Sequence, residues 1–258
     1  MLGATTGEGL TLDDAERHQL VTLTAETLAA LGHRLPLCLG LSGSHTAELI
    51  HTLHETASWP IDTYLIACPY YTHPCQDGLR AHCTTLADAA AHPILIYNIP
   101  YRTGVNLGNA TMLQLARHPN IIGLKDCCAD VAQSFDLLRA RPENFAVLTG
   151  EDALFYPALT LGADGGILAS AHVDPAAFAA IRSHLLAGDH PTALAAWEAL
   201  IDLPRLLFAE PSPAPIKHYL WRTGLIDSPE LRLPMTPITE ALATRIDQDI
   251  ARRSLVPA

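Results

Sequence analysis

The stretch NIIGLKD (120–126) decides the fold. Its apolar residues do not alternate with polar ones, so it reads as a strand covered on both faces, as strands of a parallel sheet are. A lysine, Lys125, stands at its C-terminal end. Working outward, similar runs recur on both sides. LPLCLGL (35–41), DTYLIACP (62–69) and PILIYNIP (93–100) come before it, and FAVLTGED (145–152) and GGILAS (165–170) come after. The opening MLGATTGE (1–8) reads as the end of one more strand. Helical periodicity fills the spaces between, over 12–31, 46–59, 76–90, 110–117 and 131–139. The strands recur roughly every 20 to 35 residues, the length of a βαβ unit. Seven such units are close to the eight of a TIM (β/α)8 barrel. The expectation is therefore an α/β barrel over 1–190 whose first βα unit precedes Met1. From about position 191 the pattern is helical only, over 195–208, 216–224 and 238–250, which predicts a helical extension over 191–258 packed on the barrel. No G-x-G-x-x-G follows the first strand, which argues against a dinucleotide fold.

Composition narrows the function. In 258 residues, 49% are hydrophobic and 17% charged, enough to bury a sizeable core. Asp and Glu number 27 against 16 Lys and Arg, a net charge of −11, which disfavours a nucleic-acid binder. No apolar stretch is long enough to span a bilayer, and no secretory leader opens the sequence. The six cysteines have neither C-x-x-C nor zinc spacing, so reduced thiols of a cytoplasmic protein are expected. His45, His51 and His54 fall on or beside one helical stretch without a metal-binding pattern, and no metal or cofactor is expected. The sixteen basic residues divide into fourteen arginines and only two lysines, Lys125 and Lys217.

Polar residues gather where the strands end. Thr5, Thr6, Tyr70, Tyr71, Tyr97, Arg102, Lys125, Gly150 and Glu151 all lie at or just past a C-terminal strand end, the face on which barrel enzymes build their sites. A lysine led from an apolar strand into a barrel mouth loses hydration, which lowers its pKa and exposes a neutral amine able to form a Schiff base. The alternative is an ion pair with Asp126. Tyr97 can relay protons or pack as a core tyrosine. Arg102 suits bidentate recognition of a carboxylate or stands on the surface. The loop holding Thr5 and Thr6 can bind a small carboxylate, or serve as a strand-to-helix turn with Thr11 as the helix N-cap.

Five blocks carry a resemblance: ATTGEG (4–9), PYYTHPCQDGL (69–79), YNIPYRTG (97–104), GLKD (123–126) and GADGGILAS (162–170), joined by PAPIKHYLWRTGL (213–225). Together they resemble the dihydrodipicolinate synthase / N-acetylneuraminate lyase family of class I, pyruvate-dependent aldolases. The resemblance implies a TIM barrel in which Lys125 forms the Schiff base with pyruvate and Tyr97 is the general acid/base. It implies that Thr5 links Tyr97 to Tyr71, with Tyr71 serving a neighbouring subunit of a homotetramer or homodimer. Thr6 would hold the pyruvate carboxylate, Arg102 the carboxylate of the second substrate, and Gly150 and Ile167 would line the pocket. The Thr-Thr-Gly-Glu loop and the arginine resemble the branch that condenses pyruvate with aspartate-4-semialdehyde on the route to lysine.

The sequence departs from that pattern in places. Ala4 stands for the usual glycine, Tyr101 for serine, and Asp126-Cys127-Cys128-Ala129 follows the lysine where Glu-Ala-Thr/Ser-Gly is usual. These changes keep two rivals in view: a pyruvate aldolase acting on a 2-keto-3-deoxy sugar acid or 4-hydroxy-2-oxoglutarate, and a non-catalytic relative that binds a small carboxylate. Gly9, Asp14 and Arg17 replace residues of the family's lysine-feedback site, so inhibition by lysine is not expected.

Overall fold

A computed structural model describes residues 1–254. Six strands lie parallel in sequence order: β1 Cys38–Leu41, β2 Thr63–Ala67, β3 Ile94–Asn98, β4 Ile121–Asp126, β5 Ala146–Thr149 and β6 Gly165–Gly166. The N-terminal stub joins the sheet at Leu2, which bridges Leu39 in parallel and exchanges 2.8 Å hydrogen bonds with Cys38 and Gly40. Six helices lie between or beside these strands: α1 Asp14–Ala30, α2 Thr46–Glu55, α3 Gln76–Ala89, the short α4 Pro100–Thr103, α5 Asn109–Leu115 and α6 Val131–Ala140. Then come α7 Phe155–Thr160, α8 Pro175–Leu186, α9 His190–Leu200, α10 Asp202–Leu207, α11 Ala214–Arg222 and α12 Glu240–Ser254. No helix among the described residues is long and apolar enough to cross a membrane.

The strands are apolar on both faces because each face has its own core. Leu39, Tyr64, Ile66, Ile94, Ile96, Leu124 and Val147 pack outward with Leu53 of α2 and Leu79 and Leu86 of α3. The alternate positions Cys38, Leu65, Ala67, Leu95, Tyr97 and Cys127 pack with one another on the inner face. Register fixes which residues share that face: Leu95 pairs with Gly123 and Tyr97 with Lys125. Strand alternation therefore places Lys125 inside and Asp126 on the other side. A third cluster, running from Phe155 to Ile246, packs α7 to α12 together. Positions 255–258 of the expected extension lie outside the described residues.

Several local expectations are corrected. Thr11 does not cap α1; its hydroxyl donates to the Glu8 carbonyl at 2.8 Å. Asp13 is the cap, in a reciprocal capping box with Glu16. The strand expected over 165–170 has only two residues, because the Ala169 and Ser170 N–H groups turn to the Asp152 carboxylate, at 3.3 and 2.5 Å. Asp152 therefore ties down this loop. In the stretch before β6, Gly162 follows the end of α7 at φ +102°, and Arg141 takes the Asp164 carboxylate. Helix α8 is the helix of the last strand-helix unit, whose bounds the sequence left open. Its sequence, PAAFAAIRSHLL, is apolar around most of its circumference and so has a weak helical period.

Candidate active site

The C-terminal ends of the strands open into one cavity of about 400 Å³. Gly3, Ala4, Thr5 and Thr6 wall it from one edge of the sheet, and Gly150 and Ile167 from the other. Two edges can share a cavity only if the sheet curls. Tyr97, Tyr101, Arg102 and Lys125 line the middle, while Phe208, Ser212, Ile216 and Leu220 close it from the C-terminal helices. Seven of the eight residues expected at the site thus meet there: Lys125, Tyr97, Thr5, Thr6, Arg102, Gly150 and Ile167.

Lys125 is 7% exposed. It does not pair with Asp126, whose carboxylate accepts the Ser134 hydroxyl at 2.5 Å and the Cys128 N–H at 3.0 Å. Its Nζ lies 4.1 Å from the centre of the Tyr97 ring. Burial lowers its pKa, with Cys127, Asp152 and Glu151 opposing the effect and Arg102 adding to it. Burial also pushes the neighbouring Cys127 thiol up, so it stays protonated. Room for the side chain comes from Gly150. A Cβ there would stand 2.4 Å from Lys125 Cε and 2.3 Å from Cys127 Sγ, closer than real Cβ atoms approach.

Tyr97 is equally enclosed, and burial raises its pKa, so the phenol keeps its proton. The Thr5 side chain stands beside it, and Cys127 Sγ lies 3.9 Å from its oxygen. Thr5 stands at the tip of a loop closed by hydrogen bonds from Glu8 N to Thr5 O at 3.1 Å and from Gly9 N to Ala4 O at 3.2 Å. Gly9 is required here, since a Cβ would meet the Gly3 carbonyl oxygen at 1.8 Å. The backbone N–H groups of Thr5 and Thr6 have no partner among the described residues. Arg102, exposed at the mouth beside the Tyr101 ring, has no ion pair among them.

Tyr71 is not brought to this cavity. It is 88% exposed, and its φ of +70°, with His73 at +47°, shows a strained loop holding it outward. Other residues, to which sequence reading assigned no role at the site, also contribute. Asp152 secures the Ile167–Ala169 wall, and Glu8 and Lys217 face each other at the rim. Glu151 sits behind Tyr101, its pKa raised by burial. The surplus of polar residues at strand ends pointed to this region, but contacts with the C-terminal helices had no signal in local sequence.

The sequence model of the dihydrodipicolinate synthetase family matches residues 1–253. A relative from Clostridium acetobutylicum, 4-hydroxy-tetrahydrodipicolinate synthase 2, is 40% identical over 245 residues, 95% of this chain and 85% of that protein. A 4-hydroxy-tetrahydrodipicolinate synthase from Azoarcus sp. is 36% identical over 242 residues, covering 94% and 82%. The crystal structure of dihydrodipicolinate synthase from Aquifex aeolicus superposes with a TM-score of 0.92 at 31% identity, over 98% of this chain and 86% of that one. A lysine buried at a strand end, a phenol across the register from it, and similarity over nearly the whole chain agree, and this chain belongs to the dihydrodipicolinate synthetase family of class I, pyruvate-dependent lyases.

Proposed function

We propose that this chain condenses pyruvate, held as a Schiff base on Lys125, with aspartate-4-semialdehyde to give 4-hydroxy-tetrahydrodipicolinate. The observation that carries this reading is the buried Lys125, without an ion pair among the described residues, beside Tyr97 in a cavity that also holds the Thr5–Thr6 loop and Arg102. The neutral amine of Lys125 attacks the pyruvate keto carbon, and loss of water leaves an iminium. Tyr97, through Thr5, carries the protons of that step and of the C3 deprotonation that makes the enamine. Thr6 and the free loop N–H groups receive the pyruvate carboxylate, while Arg102 receives the carboxylate of the aldehyde. Gly150 and Ile167 shape the pocket around the bound carbon chain.

Two finer readings accompany this one. The sheet is the larger part of a (β/α)8 barrel: six strands and the Leu2 bridge fill seven parallel positions, and the eighth, between Leu2 and β6, suits the expected first βα unit. Tyr71, held away from its own cavity, completes the proton relay of a neighbouring copy in a homodimer or homotetramer. Mixing Lys125→Ala chains with Tyr71→Phe chains is then expected to regenerate activity, since one mixed site has both groups intact. Mixed assemblies no more active than their parents would rule out that arrangement. The free thiols support a reducing, cytoplasmic setting.

Borohydride reduction with pyruvate, read by intact mass, is the primary test. One reduced-pyruvate adduct per chain is expected, and its absence on folded protein sinks the aldolase reading. A panel of aldehydes at fixed pyruvate then identifies the second substrate; turnover only with sugar-acid or glyoxylate-type aldehydes would replace aspartate-4-semialdehyde. Arg102→Ala removes a charge-assisted carboxylate contact of about 1.5–3 kcal/mol. It is expected to raise the KM for the aldehyde roughly 10- to 100-fold while leaving pyruvate trapping intact. Equal losses for both substrates would reassign the arginine.

A further inference from the structure

Both lysines of the chain line the same cavity. Lys125 rises from β4, and Lys217 comes from α11 on the facing wall. Lys217 Nζ donates to Glu8 Oε2 at 2.6 Å and to the Glu230 carbonyl. The other Glu8 oxygen accepts the Arg232 N–H at 3.0 Å. Arg232 then spans back to α1: its guanidinium donates to both Glu16 oxygens, at 2.6 and 2.5 Å, and to the Thr11 carbonyl at 2.7 Å. The C-terminal region thus grips the segment that carries Thr5 and Thr6, across more than 200 positions of sequence.

The other anchors of that segment lie at its start, where Gly3 and Ala4 rest against Gly40 and Ala4 packs on the inner-face cluster. Leu2 ties its start to β1, and the bonds that close the loop run within it. Glu8 itself sits at φ +53°, an uncommon conformation for a side-chain-bearing residue that surrounding contacts must hold. The Lys217 and Glu8 side chains are only 24% and 14% exposed. A pair this enclosed differs from a surface ion pair, because removing one partner strands the other charge away from water.

We propose that Lys217 is a positioning residue: by gripping Glu8 it fixes Thr5 and Thr6 relative to Lys125 and Tyr97, and so sets how tightly the site captures pyruvate. The proposal rests on the pyruvate-aldolase reading above. It gives the second lysine a task distinct from the first, one forming the covalent bond and the other holding the loop that binds the same substrate.

The test uses Lys217→Met, Lys217→Arg, Glu8→Gln and the Met/Gln double variant, with borohydride trapping titrated against pyruvate, steady-state kinetics and thermal melting. Lys217→Met is expected to raise the half-saturating pyruvate concentration about tenfold or more, with trapping at saturation still complete on Lys125. The double variant should be no worse than the single ones, since both remove one contact. Lys217→Arg should recover most of the loss. A Lys217→Met chain that traps pyruvate at wild-type concentrations, whatever its melting temperature, overturns the proposal. If Lys217→Met fails to fold, Glu8→Gln, of nearly unchanged size, gives the same two outcomes. A wild type that never traps pyruvate overturns the aldolase reading and this proposal together, whereas a trapping wild type with an unaffected variant overturns only the latter.

Discussion

Lys125→Ala is expected to abolish the reduced-pyruvate adduct and to lower kcat/KM by on the order of 10⁴-fold or more, the scale on which removal of a covalent nucleophile acts. The structure makes this outcome specific, because Lys217 remains in the same cavity. Its Nζ is held at the rim by Glu8 and the Glu230 carbonyl, so it is not placed to replace the lost amine. Lys125 by contrast is buried, faces the Tyr97 ring and has no carboxylate partner among the described residues. The trapping rate of the wild type should follow the neutral fraction of Lys125. Burial lowers that pKa from the ordinary lysine value, so the free amine persists to lower pH than on an exposed lysine. The rate falls as pH drops below the lowered pKa and levels off above it. Stability moves in the same direction. Between the lowered folded pKa and the ordinary value the unfolded chain binds more protons, so the fold gains stability as pH rises through that window. Lys125→Ala should remove this slope. An adduct that survives on Lys125→Ala would move the nucleophile to Lys217 and overturn the assignment.

The parts of this site that were legible in the sequence are those fixed by strand periodicity. NIIGLKD placed Lys125 at the end of a two-faced strand, and the structure shows why that placement matters: alternation turns Lys125 inward and Asp126 toward Ser134. YNIPYRTG placed Tyr97 one strand earlier, and register sets it directly opposite the lysine. What escaped reading depends on contacts distant in sequence. Thr11 has the right chemistry for an N-cap, yet Asp13 takes that role because Glu16 stands three residues beyond it to complete the capping box. GGILAS reads as a strand by composition, but the ladder stops when the Asp152 carboxylate captures the Ala169 and Ser170 N–H groups. The rarity of lysine marked Lys217 as unusual without revealing its partner. Glu8 lies 209 positions away, and no local period connects them.

Tyr97→Phe should separate two functions that Lys125→Ala removes together. Phenylalanine retains the ring beneath Lys125 Nζ and the inner-face packing with Leu65, Leu95 and Cys127, so the fold and the lysine's desolvation should persist. Borohydride trapping at saturating pyruvate should therefore reach completion, though more slowly. What the variant loses is the phenol that meets Thr5 on one side and Cys127 on the other. Cys127 cannot substitute as the proton carrier, because burial holds its thiol protonated. Turnover is then expected to fall about 10²- to 10⁴-fold, the range for loss of a positioned general acid or base. Burial raises the Tyr97 pKa, so the wild-type phenol should stay protonated across the working range. The acid limb of the rate profile belongs to Lys125, and Tyr97→Phe should reduce the rate without shifting that limb. A variant with normal turnover would remove Tyr97 from the proton path. A variant unable to trap pyruvate at any concentration would instead make the phenol essential to Schiff-base formation itself.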